Sequence, residues 1–356
     1  MTTSLRTRTS SAEFLLARES FEENHGFLGV ASIGIPTKET VAAQKADLDL
    51  WAHAQRDPQD YDTVVEATRG HYARLVGVDL SRVAGGSQTS VMVSLIAAAV
   101  PAGAEVVCVT GDFSSLVFPF LQRGDIRVRH VALADLADEI SDDTWLVVFS
   151  HIQSATGVVA DVDAIVRAAA AHRTHTLCDV TQSAGVHPVD ASLFDATVCH
   201  AYKWLCAPRG VAFLTLSEEF ESLLTPLQAG WYAGEDVWQS CYAPSMHLAS
   251  GARRFDVSPA WPAWVGAEPA IRMFAGLDMG EVWAWASGLG DAMCDGLGIP
   301  QQHQAIVTWA DPDRTDLAKL IGAGIRASGR AGRLRASFHL WNDVADVEAV
   351  VRALRN

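Results

Sequence analysis

No CxxC pair occurs in this chain of 356 residues: its six cysteines, Cys108, Cys178, Cys199, Cys206, Cys241 and Cys294, are scattered. That spacing argues against a thiolate metal centre or a dithiol redox site, and the cysteines inside apolar strand-like runs read as small hydrophobes. His172, His175 and Cys178 have ligand-like spacing, but in a strand beginning near Thr174 the side chains of His175 and Cys178 point to opposite faces, so no metal is expected. No apolar run approaches the length of a membrane span, and the opening MTTSLRTRTSSAEFLL has no long apolar core. Neither a membrane segment nor a signal peptide is therefore expected, and the expected location is cytoplasmic. Neither GxGxxG nor GxxxxGK[ST] occurs, which speaks against a dinucleotide-dependent oxidoreductase or a P-loop enzyme. Positive charge is in deficit, with 27 Lys and Arg against 42 Asp and Glu, a net charge of -15 and a pI near 5.1. A nucleic acid or an anionic membrane is a poor partner for such a surface.

What is present is enough to build a large core. Half of the residues are hydrophobic (49%) and 11 are Trp, which excludes disorder, and the length suits one large domain with a smaller one. The informative stretch is THTLCDVTQSAGVHPVDASLFDATVCHAYKWLCAPRG, Thr174 to Gly210. THTLCDV reads as a buried strand ending at Asp179, and DATVCHAY as a second ending just before Lys203. The connection is long enough for a crossover, so the two are expected to be parallel neighbours with their charged ends on one sheet edge, where ligands of open α/β sheets bind. An amine able to form an imine and a carboxylate able to keep a ring nitrogen protonated are the two parts that pyridoxal phosphate requires. Taken alone, such a pair is more often a strand-end acid and a surface lysine.

Along the chain, residues 1–26 read as an arm with a short helix. Thr37 is a candidate N-cap for the helix that follows, with Glu39 in its first turn. Asp60 to Leu75 reads as an amphipathic helix. Gly85-Gly86-Ser87-Gln88-Thr89 then leads into an apolar helix, Ser90 to Val100, an arrangement that aims free backbone N–H groups at an anion. Strands are expected at 105–110, 128–133, 144–152 and 210–216, with a helix at 162–172. Gln228 to Trp264 reads as long loops, followed by helices near 264–277 and 280–296. Arg333 to Trp341 alternates as a half-buried strand, after which Asn342 or Asp343 caps a last helix.

Asp179-Val180-Thr181-Gln182, then His200-Ala201-Tyr202-Lys203-Trp204 and Pro208-Arg209-Gly210, resembles the class V branch of the aminotransferase-like, fold type I pyridoxal phosphate enzymes, and most of all its isopenicillin-N-epimerase-like and selenocysteine lyase-like members. The resemblance implies an α/β fold: a mostly parallel seven-stranded sheet between helices, with a smaller α+β C-terminal domain. It divides the chain into an arm (1–30), a large cofactor-binding domain (31–262) and a small domain (263–356), and implies a homodimer with its site at the interface. Lys203 would carry the cofactor and Asp179 would hold its ring nitrogen. Gly86 and Ser87 would lie in the phosphate loop, with His200 where the family has a phosphate-binding Ser. Phe113 would stack on the ring where the family often has His, which leaves a ring without a relayed proton; Thr181 would lie opposite it. Gln182 would reach the phenolic oxygen, near the family's Asn position, here Ser154. Ser258 would reach the partner's phosphate, and also reads as a turn residue before Pro259. Arg335 matches an Arg-x-Ser segment whose Arg binds the substrate α-carboxylate, and Ser32, beside Ala31, is a possible substrate contact that reads equally as part of a buried turn. The chain has no Cys after Cys294, where cysteine desulfurases carry a nucleophile, so a Cys-dependent desulfurase is not expected. An aminotransferase or a C–S/β-elimination lyase acting on an α-amino acid is expected, with an amino-acid epimerase or a non-catalytic cofactor-binding sensor or partner protein as the alternatives.

Overall fold

The computed structural model describes residues 10–242 and 244–355; residues 1–9 of the predicted arm lie outside them. Short runs rich in Val, Leu and Cys form seven strands: β1 (Val83–Gly86), β2 (Glu105–Val109), β3 (Arg127–Val131), β4 (Thr144–Ser150), β5 (His175–Asp179), β6 (Ala196–His200) and β7 (Ala212–Leu216). They make one sheet in the order β1-β7-β6-β5-β4-β2-β3, parallel throughout except for β7, which runs against both of its neighbours. The central runs are buried on both faces and therefore show no polar alternation. Val107, Val147 and Phe149 pack into one core, while Val106, Leu146, Val148 and Leu177 pack into the other. On the second of these faces the helices Thr89–Ala99 and Ser114–Leu121 pack together, whereas helices Asp60–Leu75 and Trp261–Phe274, which pack together with Lys38–Ala52, bury their apolar residues in the first core.

A second, smaller sheet follows: β8 (Ile306–Ala310), β9 (Ser328–Arg330) and β10 (Arg333–Ser337), antiparallel in the order β8-β10-β9. Ala331 (φ 49) and Gly332 (φ 71) form a two-residue turn between β9 and β10, as positive φ at both central positions of a tight hairpin requires. The segment after the first helix, Ala12–Glu19, is stitched onto this sheet: Phe27 pairs with Arg326 and Gly29 with Ser337, both in parallel. This brings Ser32 to Arg335. Among the described residues, no helix is long and apolar enough to cross a membrane, and no group of three His, Cys, Asp or Glu could hold a metal ion.

Several elements differ from the sequence reading. Val83–Gly86, read as part of the loop before the helix, is edge strand β1; its two glycines hide a strand that exists because β7 offers it a partner. β10 stops at Ser337, since Asn342 Oδ1 accepts from the backbone N–H of His339 and folds the chain over. The helix expected at Trp264 starts at Trp261, with a proline in its first turn, where a missing N–H does no harm. Of the two residues expected to cap the last helix, Asp343 does so, accepting from Ala345 N and Asp346 N.

Candidate active site

β5 and β6 are parallel neighbours, and their carboxyl ends present Asp179 and the turn that carries Lys203 to one edge. Lys38, Lys45 and Lys319 are exposed, whereas Lys203 is 5% exposed. The turn that buries it is built by backbone: Gly34 N donates to Tyr202 O (2.9 Å) and Cys206 N to Lys203 O (3.0 Å). A Cβ on Gly34 would stand 2.1 Å from Lys203 O, so only glycine admits this approach. Burial lowers the Lys203 pKa to about 8 against the pull of Asp179, with Arg335 and Arg330 adding to the fall. Burial pushes the Asp179 carboxyl up, opposed by its bonds from Thr181 and by the charge of Lys203.

Phe113 sits at the head of helix Ser114–Leu121, its ring centroid 5.2 Å from Lys203 Nζ and the side chain 45% exposed, which leaves one aromatic face open. Thr181 ties the ends of β5 and β6 together: its N donates to Asp179 Oδ1 (2.8 Å) and its Oγ1 accepts from His200 N (3.0 Å). Gly86 and His200 both register with Ala212, one strand from either side, so a single row across the sheet holds both, about 10 Å apart. His200 Nε2 is buried without a partner, its ring lies edge-on to Tyr202 at 4.4 Å, and the Arg209 guanidinium lies 5.0 Å over Tyr202. Burial, then the charges of Arg209 and Lys203, lower the His200 pKa to about 4. Ser87, partly buried, follows Gly86 at the same edge.

Arg335 is 1% exposed, and every partner it has is a neutral oxygen. Nε donates to Ser328 Oγ (3.1 Å), Nη1 to Ser154 Oγ (3.0 Å) and the Ser154 carbonyl, and Nη2 to Ser32 Oγ (2.8 Å). Burial lowers its pKa to about 10, with the charge of Arg330 second. Gln182 lies between Ala31 and Ser154: Nε2 donates to Ala31 O and Ser154 Oγ, each at 3.0 Å, and Oε1 accepts from Trp204 Nε1 (2.7 Å). Both amide hydrogens have protein partners. Trp204 O in turn accepts from His339 Nε2 (2.8 Å), so a chain of bonds runs from the C-terminal sheet past the lysine turn and back to Arg335 through Ser154.

The fold thus brings Lys203, Asp179, Thr181, Phe113 and His200 to one edge, with Gly86 and Ser87 in the same row, and Ser32, Ser154, Gln182 and Arg335 into one bonded cluster. Ser258 is not joined to them; it is exposed, on a loop held to β1 by the bond from Val257 N to Gly85 O. The sequence reading gave no role to Asp112, Tyr202 or Arg209. Asp112 Oδ2 accepts from Ser150 N (2.8 Å), Oδ1 is buried and unpartnered, and burial raises its pKa to about 6. Its signal was available: an acid at the carboxyl end of an apolar strand. A flat aromatic aldehyde with an anionic tail suits this space, since an orphaned buried imidazole nitrogen, a buried amine beside a buried acid, and an open aromatic face each lack the complement that such a molecule supplies.

A parallel α/β sheet with a buried lysine and acid at its carboxyl edge defines a class of lysine-centred enzyme folds. The family model for aminotransferase class-V matches residues 59–325, and the chain belongs to that family. A kynureninase of Deinococcus radiodurans is 29% identical over 245 residues, covering 65% of this chain and 59% of its own. An isopenicillin N epimerase of Streptomyces clavuligerus is 25% identical over 203 residues, 51% of either chain. The chain thus spans less than two thirds of the length of these curated relatives. Among solved structures, the cysteine desulfurase CsdA of Escherichia coli superposes with a TM-score of 0.82 at 20% identity, covering 96% of this chain and 97% of that one. This last likeness corrects one expectation. Cysteine desulfurases share the whole fold of this chain, so the lack of a Cys after Cys294 does not set it outside that class, and the exclusion drawn from the sequence is withdrawn.

Proposed function

We propose that the protein is a pyridoxal phosphate enzyme that acts on an α-amino acid, as an aminotransferase or a C–S/β-elimination lyase. The observation that carries this reading is Lys203, the buried lysine of the chain, held beside buried Asp179 with its pKa lowered to about 8. A neutral amine fraction near neutral pH is what covalent capture of an aldehyde requires. Asp179 would hold the proton on the ring nitrogen, Phe113 and Thr181 would flank the ring, and Gly86, Ser87 and His200 would hold the phosphate, with Gln182 and Ser154 beside the phenolic edge. Bound there, the cofactor supplies an aldehyde for amine exchange and a ring that withdraws electrons from the substrate Cα. Arg335, buried and faced only by neutral oxygens, binds the α-carboxylate in place of its serine partners, one of them Ser32. Lys203 Nζ would be the base for the α-proton. Phe113 offers a ring and no proton, and Lys203 Nζ lies 5.2 Å from its centroid, so the amine is the group placed to carry a proton there.

A homodimer in which exposed Ser258 reaches the partner's phosphate belongs to the same proposal, as does the division into an arm, a large domain at 31–262 and a small one at 263–356. The test is spectroscopic. Protein reconstituted with pyridoxal phosphate should absorb in the visible and respond to added amino acids, with keto acid formation marking transamination and joint release of pyruvate, ammonia and sulfide marking elimination. Lys203→Ala should lose both the visible band and turnover; a variant that keeps them defeats the assignment.

A further inference from the structure

The β9–β10 hairpin sets a second cation beside Arg335. Arg330 pairs with Arg333 and Ser328 with Arg335 across the antiparallel ladder, and directly opposed residues share a face, as do residues two apart on one strand. Ser328, Arg330, Arg333 and Arg335 therefore stand on one face, with Arg330 diagonal to Arg335 at about 7–8 Å, the usual spacing of such neighbours. Ser328 confirms that this face meets the site, since its Oγ accepts from Arg335 Nε at 3.1 Å. Arg333 is occupied by Thr308, whose Oγ1 accepts from its Nε and Nη2. Arg330 is exposed, its one hydrogen bond goes from Nη1 to the neighbouring Gly329 O (2.9 Å), and it makes no ion pair among the described residues. Its charge reaches both Lys203 and Arg335, acting on each toward the neutral form.

Two like charges facing one space without a carboxylate between them are mutually unfavourable until an anion arrives. Other exposed arginines also lack an acidic partner, but Arg330 is the one that the hairpin register sets diagonal to Arg335. The α-carboxylate of an amino acid accounts for Arg335 and leaves Arg330 over.

We propose that Arg330 is a specificity-determining residue that binds a second anionic group, so that the substrates are α-amino acids with an acidic side chain: a carboxylate, a sulfinate or a phosphate. This rests on the reading of Arg335 as the α-carboxylate site. The tight two-residue turn after Arg330 limits how far the residue can wander, and its exposure leaves it at the mouth, where the outer end of a side chain lies.

The experiment compares isosteres on the holoenzyme, following cofactor absorbance as each ligand is titrated: aspartate against asparagine and glutamate against glutamine, with cysteine sulfinate and phosphoserine to tell the anions apart. The acidic member of each pair should bind more tightly by about tenfold, the value of one charge-assisted contact. Arg330→Gln should collapse that ratio, and Arg330→Lys should restore part of it, with the change in KM rather than kcat. Equal binding of the acid and amide members, or a ratio that Arg330→Gln leaves intact, overturns the proposal while the cofactor assignment stands. A cofactor band that no amino acid perturbs overturns both.

Discussion

Lys203 is where sequence and environment meet most directly. Its pKa of about 8 means that the folded chain holds the amine neutral over a range where an unfolded chain, near 10.4, holds it charged. Between about pH 8 and 10.5 the unfolded state binds the extra proton, so the stability of the cofactor-free protein should rise with pH across that window and level off beyond it. Capture of pyridoxal phosphate by the cofactor-free protein should speed up about tenfold per pH unit below about pH 8 and flatten above it; stopped-flow absorbance checks this, and a rate flat from pH 6 to 9 counts against a buried amine. Arg335 makes a separate case. Lysine has the charge without the fork, and Arg335→Lys should raise the KM for the amino acid by about tenfold or more in steady-state assays, because one ammonium cannot grip a carboxylate with two parallel bonds as a guanidinium does.

At the scale of elements, the turn from Ala201 to Ala207 is fixed by glycines that lie far away in sequence. Gly185 has φ +99, and a Cβ there would stand 2.6 Å from Trp204 O. Gly185→Ala should therefore cost about 1–3 kcal/mol through strain and clash together, lower the melting temperature, and weaken cofactor retention because Trp204 adjoins Lys203. Gly298→Ala, at φ +72 with nothing within 4 Å of its Cβ, carries the strain alone and should leave cofactor retention untouched. Dialysis of the two holo-variants separates these outcomes. The strand that ends in Asp179 and the one that leads to Lys203 were legible because they are apolar runs with one charge at or just beyond the end. β1 was not, since Val-Ala-Gly-Gly has no strand signal until β7 supplies its hydrogen bonds.

Across the whole molecule, the first and last parts of the chain close on each other at the site. Asp346, 2% exposed, accepts from Gly26 N (2.6 Å) and Asn342 Nδ2 (2.9 Å), and Asn342 in turn donates to Phe27 O (3.1 Å). These bonds anchor the segment that delivers Ala31 to Gln182 and Ser32 to Arg335. Asp346→Ala would leave buried donors unmet, at about 1–3 kcal/mol each. The expected outcome is a lower melting temperature by calorimetry together with faster amide exchange over residues 26–32. A variant that melts earlier with exchange unchanged in that segment would show that the anchor lies elsewhere.

Sequence alone determined the strands of the large sheet other than β1, the crossover between Asp179 and Lys203, the order of the main helices and the class of chemistry that a lysine and an acid on one edge can perform, because these follow from local apolar patterning and residue type. It picked out Arg335 and Ser32 as separate points. Only the tertiary structure decided that Ser32, Ser154 and Ser328 converge on one buried guanidinium, that Gln182 is bonded to Trp204 and Ala31, and that Arg330 faces the same space with no acid beside it. Such partners lie up to 303 residues apart. A hydrogen bond carries no trace in the composition of either end, so distance along the chain hides what strand register and a two-residue turn make adjacent.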